Sequence, residues 1–117
     1  MLRHSLVRPL ALVGLLATLL AYPLAEAQAA ATQPVTIVHF HYTPKTLIVH
    51  AGDTVTWSND QPNIPHTTVS DTGLWHSGPL SNGRTFSLTF TKPGTYTYHC
   101  TLQTATLSMH GTIIVVQ

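Results

Sequence analysis

The sequence predicts an all-β domain, an antiparallel sandwich of about seven to eight short strands. Three observations carry that reading. Beyond residue 28 apolar residues recur with period two, in runs rich in β-branched and aromatic types. Turn tokens separate the runs at short intervals: Ala51-Gly52-Asp53, Asn59-Asp60-Gln61-Pro62, Asp71-Thr72-Gly73, Ser81-Asn82-Gly83 and Lys92-Pro93-Gly94. No stretch there has the 3.6-residue periodicity of a long amphipathic helix, and no internal repeat is present. Short strands so spaced pack as two sheets around one core.

The strands follow in order. "VTIVHFHY" reads as one strand with Val38, Phe40 and Tyr42 on one face, which sets His39 and His41 together on the other, a solvated face or a surface metal pair. "TLIVH" aligns Leu47 with Val49, and His50 beside the following turn reads as surface. "TVTW" aligns Val55 with Trp57, and "RTFSLTF" aligns Phe86, Leu88 and Phe90. "TYTYHC" puts Tyr96, Tyr98 and Cys100 on one face and His99 on the other. "TIIVV" closes the chain.

Ahead of these strands, "MLRHSLVRPLALVGLLATLLAYPLAEA" has basic residues Arg3 and Arg8, an apolar run from Leu10 to Tyr22, and small residues at Ala25 and Ala27. That is the anatomy of a secretory signal peptide, residues 1–27, with cleavage expected at about 27–31. The apolar run is short for a membrane span, which needs about 20 residues, and no cysteine follows it to carry a lipid. The chain is therefore expected to be exported, to a periplasm or the medium, without a stable membrane anchor. Residues 28–117 make one domain. Its charges cancel, Lys45, Arg84 and Lys92 against Asp53, Asp60 and Asp71, which argues against a nucleic-acid surface. All the histidines except His4 lie in this part. The single cysteine, Cys100, cannot form an internal disulfide, and is a free thiol, an intermolecular bridge or a metal ligand.

Four segments resemble one family. "PKTLIVHAGDTVTWSN", "PHTTVSDTG", "SGPLSNGRTFSLTFTKPGTYTYHCTL" and "MHGTIIV", in this order, are similar to the cupredoxins, the blue copper proteins of plastocyanin, pseudoazurin and azurin type. The likeness runs from about Val35 to Val116. It implies a Greek-key sandwich, one copper ion and one-electron transfer. Carried over by residue, His66 matches the upstream imidazole ligand, Cys100 the thiolate and Met109 the axial thioether. Two imidazoles and a thiolate near one plane, with a weak axial sulfur, suit both Cu(I) and Cu(II).

The sequence departs from the pattern in the loop after Cys100. The second histidine falls three residues on in short-loop members, where Gln103 stands, and five on in azurin, where Ala105 stands. Met109, nine residues past Cys100, has the azurin spacing. The site is then completed by Gln103 through its amide oxygen, by His110, or by water, an anion or a partner's histidine; otherwise copper is not held tightly. Neighbours on a strand face opposite ways, so His110 shares a metal with Met109 only if the chain is irregular there. The plain alternatives are that Cys100 and Met109 are core residues and that His66 is a loop residue satisfied by a backbone carbonyl.

His99, bonded directly to the cysteine, is a candidate electron route or an exposed strand residue, and His76 in "LWHSG" falls where the family carries a polar non-ligand. There is no nucleophile elbow, no phosphate loop and no carboxylate pair, so an enzyme is not expected. The reading is a small exported copper protein carrying single electrons as a monomer. Leu102, Ala105 and Leu107 supply an apolar rim for a weak, transient redox partner. The alternative is a copper carrier serving copper-handling proteins, or a degenerate cupredoxin without redox function.

Overall fold

The computed structural model describes Gly14 and residues 29–102 and 108–117. The expected leader and the loop positions Gln103, Ala105 and Leu107 lie outside the described residues. Eight strands follow one another: β1 Thr32–Val38, β2 His41–Thr43, β3 Thr46–His50, β4 Thr54–Asn59, β5 Val69–Ser70, β6 Thr85–Thr89, β7 Gly94–His99 and β8 His110–Val116. They form two four-stranded sheets, ordered β2-β1-β4-β6 and β3-β8-β7-β5. No described residue is helical.

The sandwich is the expected one, but each sheet is mixed. β1 runs parallel to β4, and β3 runs parallel to β8. Period two in a single strand says which residues share a face and nothing about the direction of its neighbour. Each parallel pair arises because the chain crosses between sheets before it returns, β1 to β4 through β3 and β3 to β8 through the rest of the fold.

The segment "VTIVHFHY" is not one strand. His39 and Phe40 both have positive φ, 51° and 59°, and form a tight turn between β1 and β2. Two successive positive-φ residues are what a two-residue hairpin with the sheet's twist demands. β1 therefore buries Val35 and Ile37, Val38 is only half-buried, and Tyr42 enters the core from β2. His39 lies in the turn and His41 opens the next strand, so the same-face pairing expected of them on one strand does not occur.

Elsewhere the alternation is as read. Val55, Trp57, Val49, Ile113, Val115 and Tyr98 are buried along the inner faces. Trp57 is fully buried, with Trp75, Phe86, Phe90 and Tyr98 around it at ring separations of 5.5–6.4 Å. Burying one such side chain contributes roughly 1.5–3 kcal/mol or more. On the outer face of the first sheet Thr54 pairs with Thr89 and Thr56 with Ser87, each through hydroxyls 2.7 Å apart. Asp53 closes one end. Its carboxylate accepts the backbone N–H groups of Ala31 and His50, both at 2.9 Å, so the turn before β4 holds the start of β1 to the end of β3.

Candidate metal centre

At the opposite end, Asn59 finishes β4 with its side chain fully buried. Its amide donates to the carbonyls of Ile64 at 2.8 Å and Leu80 at 2.7 Å, and its Oδ1 accepts the N–H of Gln61 at 2.9 Å. One side chain thus shapes the loop that carries residues 60 to 66. His66 follows in an isolated antiparallel bridge with Leu80, N–H to carbonyl in both directions, 3.0 and 2.7 Å. The imidazole is fully buried, and burial pushes its pKa below the usual histidine value.

The protonation of that ring follows from its neighbours. Gln61 Oε1 lies 3.0 Å from the N–H of Phe40 and 2.9 Å from His66 Nε2. A backbone N–H can only donate, so the amide oxygen, not its nitrogen, faces both groups. An amide oxygen can only accept, so Nε2 carries the proton. Nδ1 of the neutral ring then presents a lone pair, and it lies 3.9 Å from Cys100 Sγ. Phe40 packs edge-on against the imidazole at 5.6 Å, which makes the β1–β2 turn part of the wall.

Cys100 follows the last residue of β7 and is 7 % exposed. Thr67 approaches its sulfur from two directions, the N–H at 3.4 Å and the hydroxyl at 3.7 Å. That hydroxyl also accepts the N–H of Thr101 at 2.8 Å and lies 3.0 Å from the Thr101 hydroxyl. Hydrogen-bond donors aimed at a ligand sulfur tune the metal bound to it. Cys100 N–H donates to the Met109 carbonyl at 3.2 Å, which continues the β7–β8 ladder by one pair. Met109 is buried at 3 % exposure. His66, Cys100 and Met109 therefore all lie on the interior side at one end of the sandwich.

His110 and His99 are placed differently. Strand alternation turns both outward, with His110 exposed and His99 half-buried, and their rings lie 6.2 Å apart. The alternation expected for "TYTYHC" holds, with Tyr98 and Cys100 inward and His99 outward. His76 is exposed, its Nδ1 accepting the N–H of Gly78. Among the described residues no group of three or more His, Cys, Asp or Glu could hold a metal ion.

The parts of the site that a reading of motifs misses are Asn59, Gln61, Thr67 and Phe40. Asn59 and Gln61 sit in a segment whose composition signals only a turn. A buried polar residue at the end of an apolar strand would have been the clue to Asn59. Gln61 and Phe40 meet through a hairpin that periodicity did not reveal.

The donors present fit copper. A thiolate and a thioether are soft ligands, and the imidazole is held in the tautomer whose lone pair faces the thiol. The cupredoxin-like domain model matches residues 10–115. The chain belongs to the cupredoxin-like family. It is 40% identical over 72 residues to amicyanin from Paracoccus denitrificans, a match that covers 57% of this chain and 54% of amicyanin, so the chain spans about half the length of that relative. An oxidised amicyanin carrying a methionine-to-leucine change superposes with a TM-score of 0.64 at 32% identity, over 72% of this chain and 81% of the other. A purple cupredoxin from Nitrosopumilus maritimus gives 0.61 at 28% identity, over 72% and 99%. A copper-containing nitrite reductase from Thermus scotoductus SA-01 gives 0.66 at 26% identity, over 74% of this chain and 22% of the enzyme.

Proposed function

We propose that this chain is a small exported copper protein that transfers single electrons through a modified type 1 site. His66, Cys100 and Met109 would hold one copper ion, which supplies a Cu(II)/Cu(I) couple when bound. The observation that carries the reading is the buried His66 imidazole with Nδ1 3.9 Å from Cys100 Sγ and Nε2 engaged by Gln61. A ligand ring fixed from behind by a hydrogen bond is the arrangement metal-binding histidines use. Cys100 is buried, Phe40 packs edge-on against the His66 ring, and the Thr67 N–H is already aimed at the sulfur at 3.4 Å.

Gln103 is the residue we favour to complete the site, because His110 faces outward while Met109 faces in. The protein would act as a monomer and not as an enzyme, meeting a redox partner weakly near the apolar rim to which Leu102, 44% exposed, belongs. A second reading draws on the ligand loop, which carries no histidine at Gln103 or Ala105. With a labile position open, the same donors would serve a copper carrier handing Cu(I) to a copper-handling protein.

Voltammetry of the copper-loaded protein separates the two. Electron transfer requires a reversible Cu(II)/Cu(I) couple and rapid self-exchange. An irreversible couple, together with fast loss of Cu(I) to a chelating acceptor, would replace it with the carrier reading.

A further inference from the structure

We propose that His99 and His110 form a second, surface site for a borderline divalent cation of the Zn(II) or Cu(II) class, with Asp71 orienting His99. Three observations carry it, all at the outer face of the second sheet, and the side chains of His66 and Cys100 take no part in them.

The first is register. His99 and His110 are direct cross-strand partners in the antiparallel β7–β8 pair. The adjoining pair, Cys100 with Met109, is joined through the Cys100 N–H and the Met109 carbonyl. In an antiparallel ladder hydrogen-bonded and non-hydrogen-bonded pairs alternate, so His99 and His110 form a non-hydrogen-bonded pair, the kind whose side chains approach most closely.

The second is the rings, whose centroids are 6.2 Å apart and whose planes are inclined at 40°. Two imidazoles on one ion with metal–nitrogen bonds of about 2.0–2.1 Å have centroids roughly 5–6 Å apart. Both side chains reach solvent, so a small rotation brings two ring nitrogens onto one ion.

The third is the carboxylate behind His99. Asp71 Oδ1 lies within hydrogen-bonding distance of His99 Nδ1, and Asp71 is itself tied down by donating its N–H to the Thr97 carbonyl at 3.0 Å. Hydrogen bonding by the Thr97 side chain, and then by His99, keeps Asp71 below the usual carboxylate range, so it meets the ring as an anion. A carboxylate on one ring nitrogen fixes the tautomer, leaves the other nitrogen as the ligand and raises its basicity. A surface ion pair alone contributes little stability, whereas this carboxylate is where a metal-binding histidine needs one. Two imidazoles leave further positions of the ion to water.

The experiment is a titration of the full protein with Zn²⁺, followed residue by residue through the imidazole signals in NMR. His99 and His110 are expected to shift together, with one midpoint. Asp71→Asn should weaken that midpoint by about 10–100-fold. His110→Ala should weaken the His99 response at least tenfold while the spectrum stays folded. The proposal is overturned if His99 and His110 shift with separate midpoints, if His110→Ala leaves the His99 response unchanged, or if Zn²⁺ moves only His39, His41 or His66. Because the rings report individually, a failure of copper binding at His66 and Cys100 is read separately.

Discussion

Gln61 is the residue on which the imidazole geometry turns. Its amide oxygen sits between the Phe40 N–H and His66 Nε2, so removing it frees the ring to exchange its proton between nitrogens. In the metal-free protein, ¹⁵N shifts of His66 should report the Nε2–H tautomer alone, and Gln61→Leu should give a mixture. An unchanged tautomer in the variant would show that the ring is held by other contacts. Asn59 acts one step further back. Its replacement by alanine leaves the buried carbonyl of Leu80 and that of Ile64 without their side-chain donor. The cost should be about 1–3 kcal/mol in denaturant unfolding, with His66 displaced as well. A loss below about 0.5 kcal/mol would mean that the loop finds other donors. His66, Cys100 and Met109 are legible in the sequence only through the likeness to the cupredoxins, which carries each over by its place in a motif. Gln61, Asn59 and Thr67 could not, since their roles exist only once the chain has folded back on itself.

The elements of the fold divide in the same way. Strands β3, β4, β6, β7 and β8 follow from alternation because each turns one face toward the core, fully buried in β4 and half-buried in β6. The β1–β2 hairpin escaped because its turn is built from His39 and Phe40 without glycine, asparagine or aspartate to announce it. The parallel pairs β1–β4 and β3–β8 escaped because pairing direction leaves no mark within a single strand. Gly111 is legible only in three dimensions. It lies opposite Tyr98, whose ring folds across the position a Cβ would take. Gly111→Ala should therefore destabilise the protein by about 1–3 kcal/mol, because a fully buried aromatic ring has nowhere to move; a variant with wild-type stability would refute that packing. Asp53 ties three elements together, and the N–H groups of Ala31 and then His50 hold its carboxyl below the usual carboxylate range. Its contribution is present at pH values above the unfolded carboxyl pKa of about 4 and is lost as pH falls through the lower folded value. The melting temperature of Asp53→Asn should lie below wild type at pH 7, with the gap closing toward pH 3. A gap that did not depend on pH would contradict the assignment.

On the scale of the whole molecule, a sandwich of two four-stranded sheets has a small core and modest reserves. The mixed sandwich places its aromatic centre around Trp57 and leaves His66, Cys100 and Met109 at one end, supplied by a loop, the end of β7 and the start of β8. An ion that joins three such distant segments can bind only the native state. At free copper a hundredfold above the dissociation constant the gain is about 2.7 kcal/mol, which for a domain of this size raises the melting temperature by about 10–20 °C. Protons act in the opposite sense: His66, buried and neutral, must take up a proton on unfolding below its ordinary pKa of about 6.5, so metal-free stability should begin to fall there before Asp53 adds its part.

The proposed function stands or falls with His66 and Cys100 binding one copper ion as a thiolate–imidazole pair. The most direct measurement is the visible spectrum and the electron paramagnetic resonance spectrum of the protein with one equivalent of Cu(II), beside the Cys100→Ala variant. An intense thiolate-to-copper band with narrow hyperfine splitting is expected, absent from the variant. Ordinary tetragonal copper signals without that band, unchanged by Cys100→Ala, would contradict it.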